Sequence, residues 1–183
     1  MSIDADKAWQ ILETAEQLCS AVVVAEAIGR VAREITAALQ EECPVLLAVM
    51  RGSVFFAGQL LPQLRFPLEF DYLEVTRYGA ATQGGTISWK VSPGTMVEGR
   101  VVLVVDDILD EGRTLAAIRE RLTVAGARRV LAAVLADKHI GRAKPTSAEF
   151  IGVTLPNRYV FGCGMDVSGA WRNLPEIYAL KCA

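Results

Sequence analysis

The stretch Val101–Leu115, VVLVVDDILDEGRTL, holds the groups of this chain best suited to chemistry. A short aliphatic run ends in two acids, Asp106 and Asp107, and a third acid, Asp110, follows. Glu111-Gly112-Arg113-Thr114 then opens a helical pattern. The first-turn N–H groups of a helix lack an intrahelical acceptor and sit at the positive end of its dipole, which suits a phosphate. Gly112 lets the backbone approach a ligand closely, and Thr114 adds a hydroxyl. Two neighbouring carboxylates beside a phosphate cradle would repel a bare anion. They fit a ligand whose sugar hydroxyls donate to them, or water on a metal. The turn therefore predicts a ribose 5-phosphate unit with Mg²⁺, a hard cation that takes oxygen ligands. His139 is the one histidine, which excludes a site of two or three imidazoles. No Walker A loop occurs, and Gly162-Cys163-Gly164 lacks the third glycine of a dinucleotide fingerprint.

These residues need a scaffold, and the hydrophobic pattern supplies one. Asp4 to Gln40 reads as helical, with Ile28, Val31, Ile35 and Leu39 on one face. After Pro44, VLLAVM is a buried strand, broken by Arg51-Gly52-Ser53 before the helical stretch Val54–Leu64. Leu68–Thr76 is rich in strand formers, and Tyr78–Gly94 reads as a long loop or an extended hairpin. Val101–Val105 is the next strand. Leu115, Ile118 and Leu122 stripe the helix after it, and Gly126 ends that helix. Val130–Ala136, Glu149–Val153 and Arg158–Phe161 complete the strands. Continuous apolar strands alternating with amphipathic helices predict an α/β fold with a mainly parallel central sheet flanked by helices. In such folds ligands bind at the carboxyl ends of the strands. Arg51-Gly52-Ser53, Asp106–Thr114 and Asp137-Lys138 all fall there.

At 183 residues the chain is the size of one domain. Residues 1–20 read as an amino-terminal helical extension and 21–183 as the domain. The formal net charge is −2, so nothing draws the whole surface to nucleic acid or anionic lipid. With 52% hydrophobic and 22% charged residues the composition is that of a folded domain. The longest apolar runs, such as Cys43–Met50, fall well short of the roughly 18 residues that span a bilayer. Cys19, Cys43, Cys163 and Cys182 form no CxxC pair, so reduced thiols in a cytoplasmic protein are predicted.

The acidic turn resembles the signature of type I phosphoribosyltransferases, which bind phosphoribosyl pyrophosphate (PRPP). LLAVMRGS is similar to the pyrophosphate loop of the 6-oxopurine branch, and EFIGVTLPNRYVFGCGMDVSGAWRNLPEIYAL to its carboxyl-terminal purine-binding hood. The likeness runs from about Val22 to Leu180, and bacterial hypoxanthine-guanine phosphoribosyltransferases are the members it matches best. The resemblance implies the type I fold with a small hood, built from about residues 150–183 and part of the amino-terminal region. It implies transfer of 5-phosphoribosyl from PRPP to hypoxanthine or guanine, giving IMP or GMP and pyrophosphate, with Mg²⁺ as cofactor. It also implies a homodimer or homotetramer, and no nucleic acid or membrane as partner.

By the same resemblance, Asp106 and Asp107 hold the ribose hydroxyls and help to bind the metal. Asp110 is the acid beside purine N7. Glu111, Gly112, Arg113 and Thr114 form the 5-phosphate cradle. Arg51, Gly52 and Arg172 grip pyrophosphate, and a cis peptide is implied between Met50 and Arg51. Lys138 bonds the 6-oxo group, Tyr159 stacks on the base, Val160 offers backbone atoms to its edge, and Asp166 binds Mg²⁺. Tyr78 covers the site. Two positions depart from the family: Glu111, where Thr or Ser is usual, and Arg77, where Ser is usual before the tyrosine. Glu111 must point away from the phosphate or pair with Arg113. Two other readings stand beside this one: a PRPP-fold regulator that binds nucleic acid, and a xanthine or pyrimidine phosphoribosyltransferase. The basic spots Arg128-Arg129 and Lys138–Lys144 are short for the first. Lys138 followed by the Tyr159–Asp166 segment favours a 6-oxopurine over uracil or orotate.

Overall fold

Asp4 and Ser20 both hold extended backbone and accept a hydrogen bond from the N–H three residues on. Two helices therefore start where the periodicity shows one: α1 (Ala5–Thr14) and α2 (Ala21–Leu39). Between them lies a short strand, β1 (Glu16–Cys19), which corrects the unbroken helical reading of Asp4–Gln40. The reason is tertiary. The β1 backbone is paired by β9 (Ile177–Ala179), near the opposite end of the chain, and no local pattern records that partner. The computed structural model describes residues 4–77 and 87–181.

The main sheet is built from β2 (Val45–Met50), β3 (Glu69–Arg77), β4 (Ile87–Val91), β5 (Val101–Leu109), β6 (Arg129–His139) and β7 (Phe150–Pro156). Its order is β4-β3-β2-β5-β6-β7, parallel throughout except that β4 runs antiparallel to β3. Of the Tyr78–Gly94 segment, the arm at β4 is thus hairpin. Tyr78 lies outside the described residues. Helices α3 (Val54–Leu60) and α4 (Arg113–Val124) make the crossovers beside β2 and β5.

Alternation along the buried strands divides the core in two. Leu46, Ala48, Leu103, Val105, Ala133 and Leu135 pack towards α2 and α3. Leu47, Val49, Val102, Val104 and Val134 pack on the other face with Leu115, Ile118 and Leu122 of α4. Each such aliphatic side chain contributes roughly 1.5–3 kcal/mol by leaving water. A sheet covered on both faces needs apolar residues at every position, which is why the strands read as continuous runs.

Two strands run further than their apolar runs. β5 continues through Asp106 and Asp107 to Leu109, so the acidic pair lies within the strand rather than after it. Its ladder pairs Asp106 with Val134 and Leu109 with Asp137 of β6. β6 likewise reaches His139, which puts Lys138 in a strand. Polar side chains are tolerated here because the strand ends open into a cleft.

A second, antiparallel sheet, β1-β9-β8 with β8 at Val160–Phe161, forms a hood. Helix α1 is bound to it by an edge-to-face contact between Trp9 and Trp171, with ring centroids 5.0 Å apart. The Trp171 Nε1–H also donates to the Ala8 carbonyl at 2.9 Å. Within the hood, Arg158 donates to Glu16 of β1 at 2.6 Å and to the Leu180 carbonyl at 2.8 Å. Among the described residues no helix is long and apolar enough to cross a membrane.

Candidate functional site

The site begins where β5 runs out. Gly112 adopts φ +79°, a left-handed conformation that a side chain would strain, and turns the chain into α4. A Cβ there would also stand 3.3 Å from both Lys144 Cβ and Pro145 Cδ. The first turn of α4 opens into a cavity of about 310 Å³. Its lining includes Met50, Gly52, Asp106, Asp107, Asp110, Gly112, Thr114 and Arg172.

Two chain crossings make the floor of this cavity tight. The Met50–Arg51 peptide is cis, where the resemblance places one. A Cβ on Gly52 would lie 2.0 Å from Asp107 Oδ2, so only glycine lets the loop after β2 pass that carboxylate. A Cβ on Gly164 would lie 1.9 Å from the Gly52 carbonyl oxygen, so the hood meets the same loop backbone to backbone. Asp107 accepts from the Ile108 N–H at 2.8 Å, and Asp106 accepts from the Asp107 N–H at 2.9 Å. Burial pushes the Asp107 carboxyl above the usual carboxylate range, against its hydrogen bonds and the charge of Arg172.

A second basin, of about 230 Å³, shares Asp107, Ile108, Asp110 and Arg172 with the first. Lys138, Tyr159, Val160, Met165 and Asp166 complete it. Lys138 is buried, and its Nζ lies 3.0 Å from Asp110 Oδ2. Tyr159 is 53% exposed and precedes β8 rather than lying within it, so its ring is a wall of the basin and no part of the core. Its hydroxyl donates to the Asp166 carbonyl at 3.1 Å. The Asp166 carboxylate is ion-paired with Arg172 and accepts from the Gly169 N–H at 2.7 Å. Arg172 also donates to the Gly164 carbonyl at 2.5 Å.

A third, outer basin of about 490 Å³ adjoins these two. Glu111 lines this one and not the cavity at the start of α4. Its carboxylate is 2.8 Å from Arg142 and 3.5 Å from Arg113.

The structure thus gathers Gly52, Asp106, Asp107, Asp110, Gly112, Thr114, Lys138, Tyr159, Val160, Asp166 and Arg172 around two connected basins. It does not bring in every residue singled out from the sequence. The Arg51 side chain is largely exposed, 3.9 Å from Glu74, and lines neither basin. Arg113 turns to Glu111 instead of the cavity. Asp106, Asp107 and Asp166 do not form a joint chelate: among the described residues no three acidic, histidine or cysteine side chains cluster as a metal site. Ile108 and Gly164 escaped the sequence reading. Ile108 sits inside the acidic motif, between Asp107 and Asp110, and lines both basins with them. The Gly164 contact with Gly52 had no local signal. Cys163, next to it, is buried, and burial together with Glu176 and Cys19 pushes its thiol up to about 12, so it stays inert.

Residues 15–168 match the phosphoribosyl transferase domain family. The chain is 32% identical over 167 residues to the hypoxanthine-guanine phosphoribosyltransferase of Bacillus subtilis (strain 168), covering 91% of this chain and 93% of that one. It is 35% identical over 157 residues to the bifunctional protein TilS/HprT of Listeria innocua, covering 85% of this chain but only 24% of that longer protein. The chain thus spans about a quarter of those bifunctional relatives. Among solved structures, a hypoxanthine phosphoribosyltransferase from Staphylococcus aureus superposes with a TM-score of 0.88 at 26% identity, over 94% of this chain and 95% of that one.

Proposed function

The chain belongs to the phosphoribosyl transferase family, among the hypoxanthine-guanine phosphoribosyltransferases, and from that premise we propose that it transfers 5-phosphoribosyl from PRPP to hypoxanthine or guanine. The products are IMP or GMP and pyrophosphate. One observation carries this reading: a cavity sized for sugar and phosphate and a basin sized for a base share Asp107, Ile108, Asp110 and Arg172, so a ligand in each would meet there.

Each group then has a physical task. The α4 amino terminus, with Gly112 and Thr114, takes the 5-phosphate. Asp106 and Asp107 accept hydrogen bonds from the ribose hydroxyls. The purine enters between Ile108 and Tyr159, and Lys138 faces its 6-oxo oxygen. As the ring deprotonates, negative charge spreads onto that oxygen, and the released proton must be taken up while N9 attacks C1. Lys138 stabilises the first, and Asp110, held at 3.0 Å by the same ammonium, receives the second. Arg172 stands at the junction of the basins to stabilise the leaving pyrophosphate.

Mg²⁺ fits the donor set. Asp106 and Asp107 are hard oxygen donors at the cavity wall, and Mg²⁺ characteristically combines one or two carboxylates with waters and substrate phosphates. When bound, the metal neutralises charge on the pyrophosphate leaving group. Asp166, already paired with Arg172, would reach it through that arginine's release or through water.

A homodimer or homotetramer is part of the proposal. Phe70 and Tyr72 are 46% and 43% exposed and lie side by side on β3, in register with buried Leu46 and Ala48. Together they leave apolar surface of β3 uncovered, as a subunit contact would require. A cytoplasmic setting belongs to the proposal too, supported by the free thiols of Cys19, Cys43 and Cys163.

The deciding experiment supplies PRPP and Mg²⁺ with hypoxanthine, guanine, xanthine, adenine, uracil and orotate in turn. Nucleotide formation with hypoxanthine or guanine is the expected result. Turnover confined to xanthine or a pyrimidine, or PRPP binding with no turnover on any base, overturns the reading.

A further inference from the structure

We infer that Arg142 is a positioning residue that holds the Glu111 carboxylate off the 5-phosphate cradle. The inference rests on the proposed function, because the cradle is where that reading puts the phosphate.

The difficulty it resolves is set by the sequence. Glu111 places a carboxylate in the turn whose backbone N–H groups and helix end favour an anion. A dianionic phosphate and a carboxylate at close range repel one another. Yet Glu111 lines the outer basin, while Gly112 and Thr114 line the cavity at the start of α4. Arg142 is 2.8 Å from its Oε1 and Arg113 3.5 Å from its Oε2. Of the two, Arg142 makes the hydrogen-bonded contact.

Arg142 can do this because its loop is fastened to the same turn. Two residues on, the Lys144 ammonium bonds the Leu109 carbonyl at 2.6 Å and Asp137 at 2.5 Å. Lys144 and Pro145 also stand against Gly112. The guanidinium thus pulls from a fixed post outside the cradle. Arg113, the first residue of α4, stands farther off, at 3.5 Å, so the hydrogen bond that orients the carboxylate is the one from Arg142.

The test is a double-mutant cycle on Arg142 and Glu111 in the intact protein. Arg142→Met should raise the Michaelis constant for PRPP about threefold to fivefold, the range of an exposed ion pair. The turnover number and the purine Michaelis constant should stay within twofold. The rise should shrink as ionic strength increases. In a Glu111→Thr background the same Arg142→Met change should have no effect beyond measurement error. Calorimetric binding of ribose 5-phosphate to the four proteins gives a second readout that needs no turnover, and the same pattern is expected.

Equal losses in both backgrounds would make Arg142 a direct cation for the phosphate and overturn its positioning role. An unchanged constant in the Arg142→Met protein would overturn it too. In both cases wild-type turnover still stands and the proposed function survives. No binding of ribose 5-phosphate or PRPP to the wild type overturns the inference together with the reading beneath it.

Discussion

The turn at the end of β5 and the hood face the same ligand but are made in opposite ways. Asp106, Asp107, Asp110, Gly112 and Thr114 lie within nine consecutive residues, from the end of β5 through the turn into α4. The hood joins Glu16 to Arg158 and Ala8 to Trp171, contacts between residues at opposite ends of the chain. The first region inherits its geometry from one strand, one left-handed glycine and one helix. The second must be assembled, and it meets the first through Gly164 against Gly52. Chemistry that cannot tolerate displacement therefore sits on the local turn, and the base is enclosed by the part that must be recruited.

The largest expected effect falls on the turn. Asp110→Asn keeps an acceptor for Lys138 but removes the proton acceptor. Turnover should fall by about 10²–10⁴-fold, as for a lost general base, while PRPP binding measured by calorimetry stays close to wild type. A turnover loss under tenfold would break the division of labour drawn above.

The seam between the regions comes next. Gly164→Ala puts a Cβ against the Gly52 carbonyl at a backbone φ of +102°. A destabilisation of about 1–3 kcal/mol in urea unfolding is expected from the overpacking. Michaelis constants for PRPP and purine should rise together, since the displaced hood carries Arg172 and the base wall alike.

The hood alone is tested by Trp9→Ala. Losing the edge-to-face pair with Trp171 should remove about 0.5–1.5 kcal/mol, seen in the same unfolding experiment. Hydrogen exchange should speed up in β1, β8 and β9 and not in β5. Equal acceleration in both sheets would mean that the two regions unfold as one.

The smallest effect is on stability and depends on pH. The folded state raises the Asp107 pKa, so it binds the proton more tightly than the unfolded chain does. Ionising Asp107 therefore opposes folding at neutral pH, and this penalty is absent below the ordinary value near 3.8. Asp107→Asn should raise Tm at pH 7, with the gain fading as the pH approaches 4, while PRPP binding weakens. A lower Tm at pH 7 would show that the charge is well solvated.

Sequence alone determined much of this protein. The continuous runs of β2, β5 and β6 dictated a parallel sheet, because strands buried on both faces admit no polar alternation. The acidic motif marked the sugar-phosphate side, since Asp106–Thr114 carries its own strand end, turn and helix start. Tertiary structure decided the rest. β1 is a strand only because β9 pairs with it, and helical periodicity had covered it over. Asp106 and Asp107 lie within β5 because β6 extends beside them. Glu111 faces outwards because Arg142, on a loop after β6, holds it there. Arg51 stays outside the basins although its neighbour Gly52 lines one, since a loop directs its backbone and its side chain differently. Periodicity and turn chemistry act over a few residues, so they are legible along the chain. Pairing, close approach and charge placement act between residues far apart in sequence, and only the folded chain sets those distances.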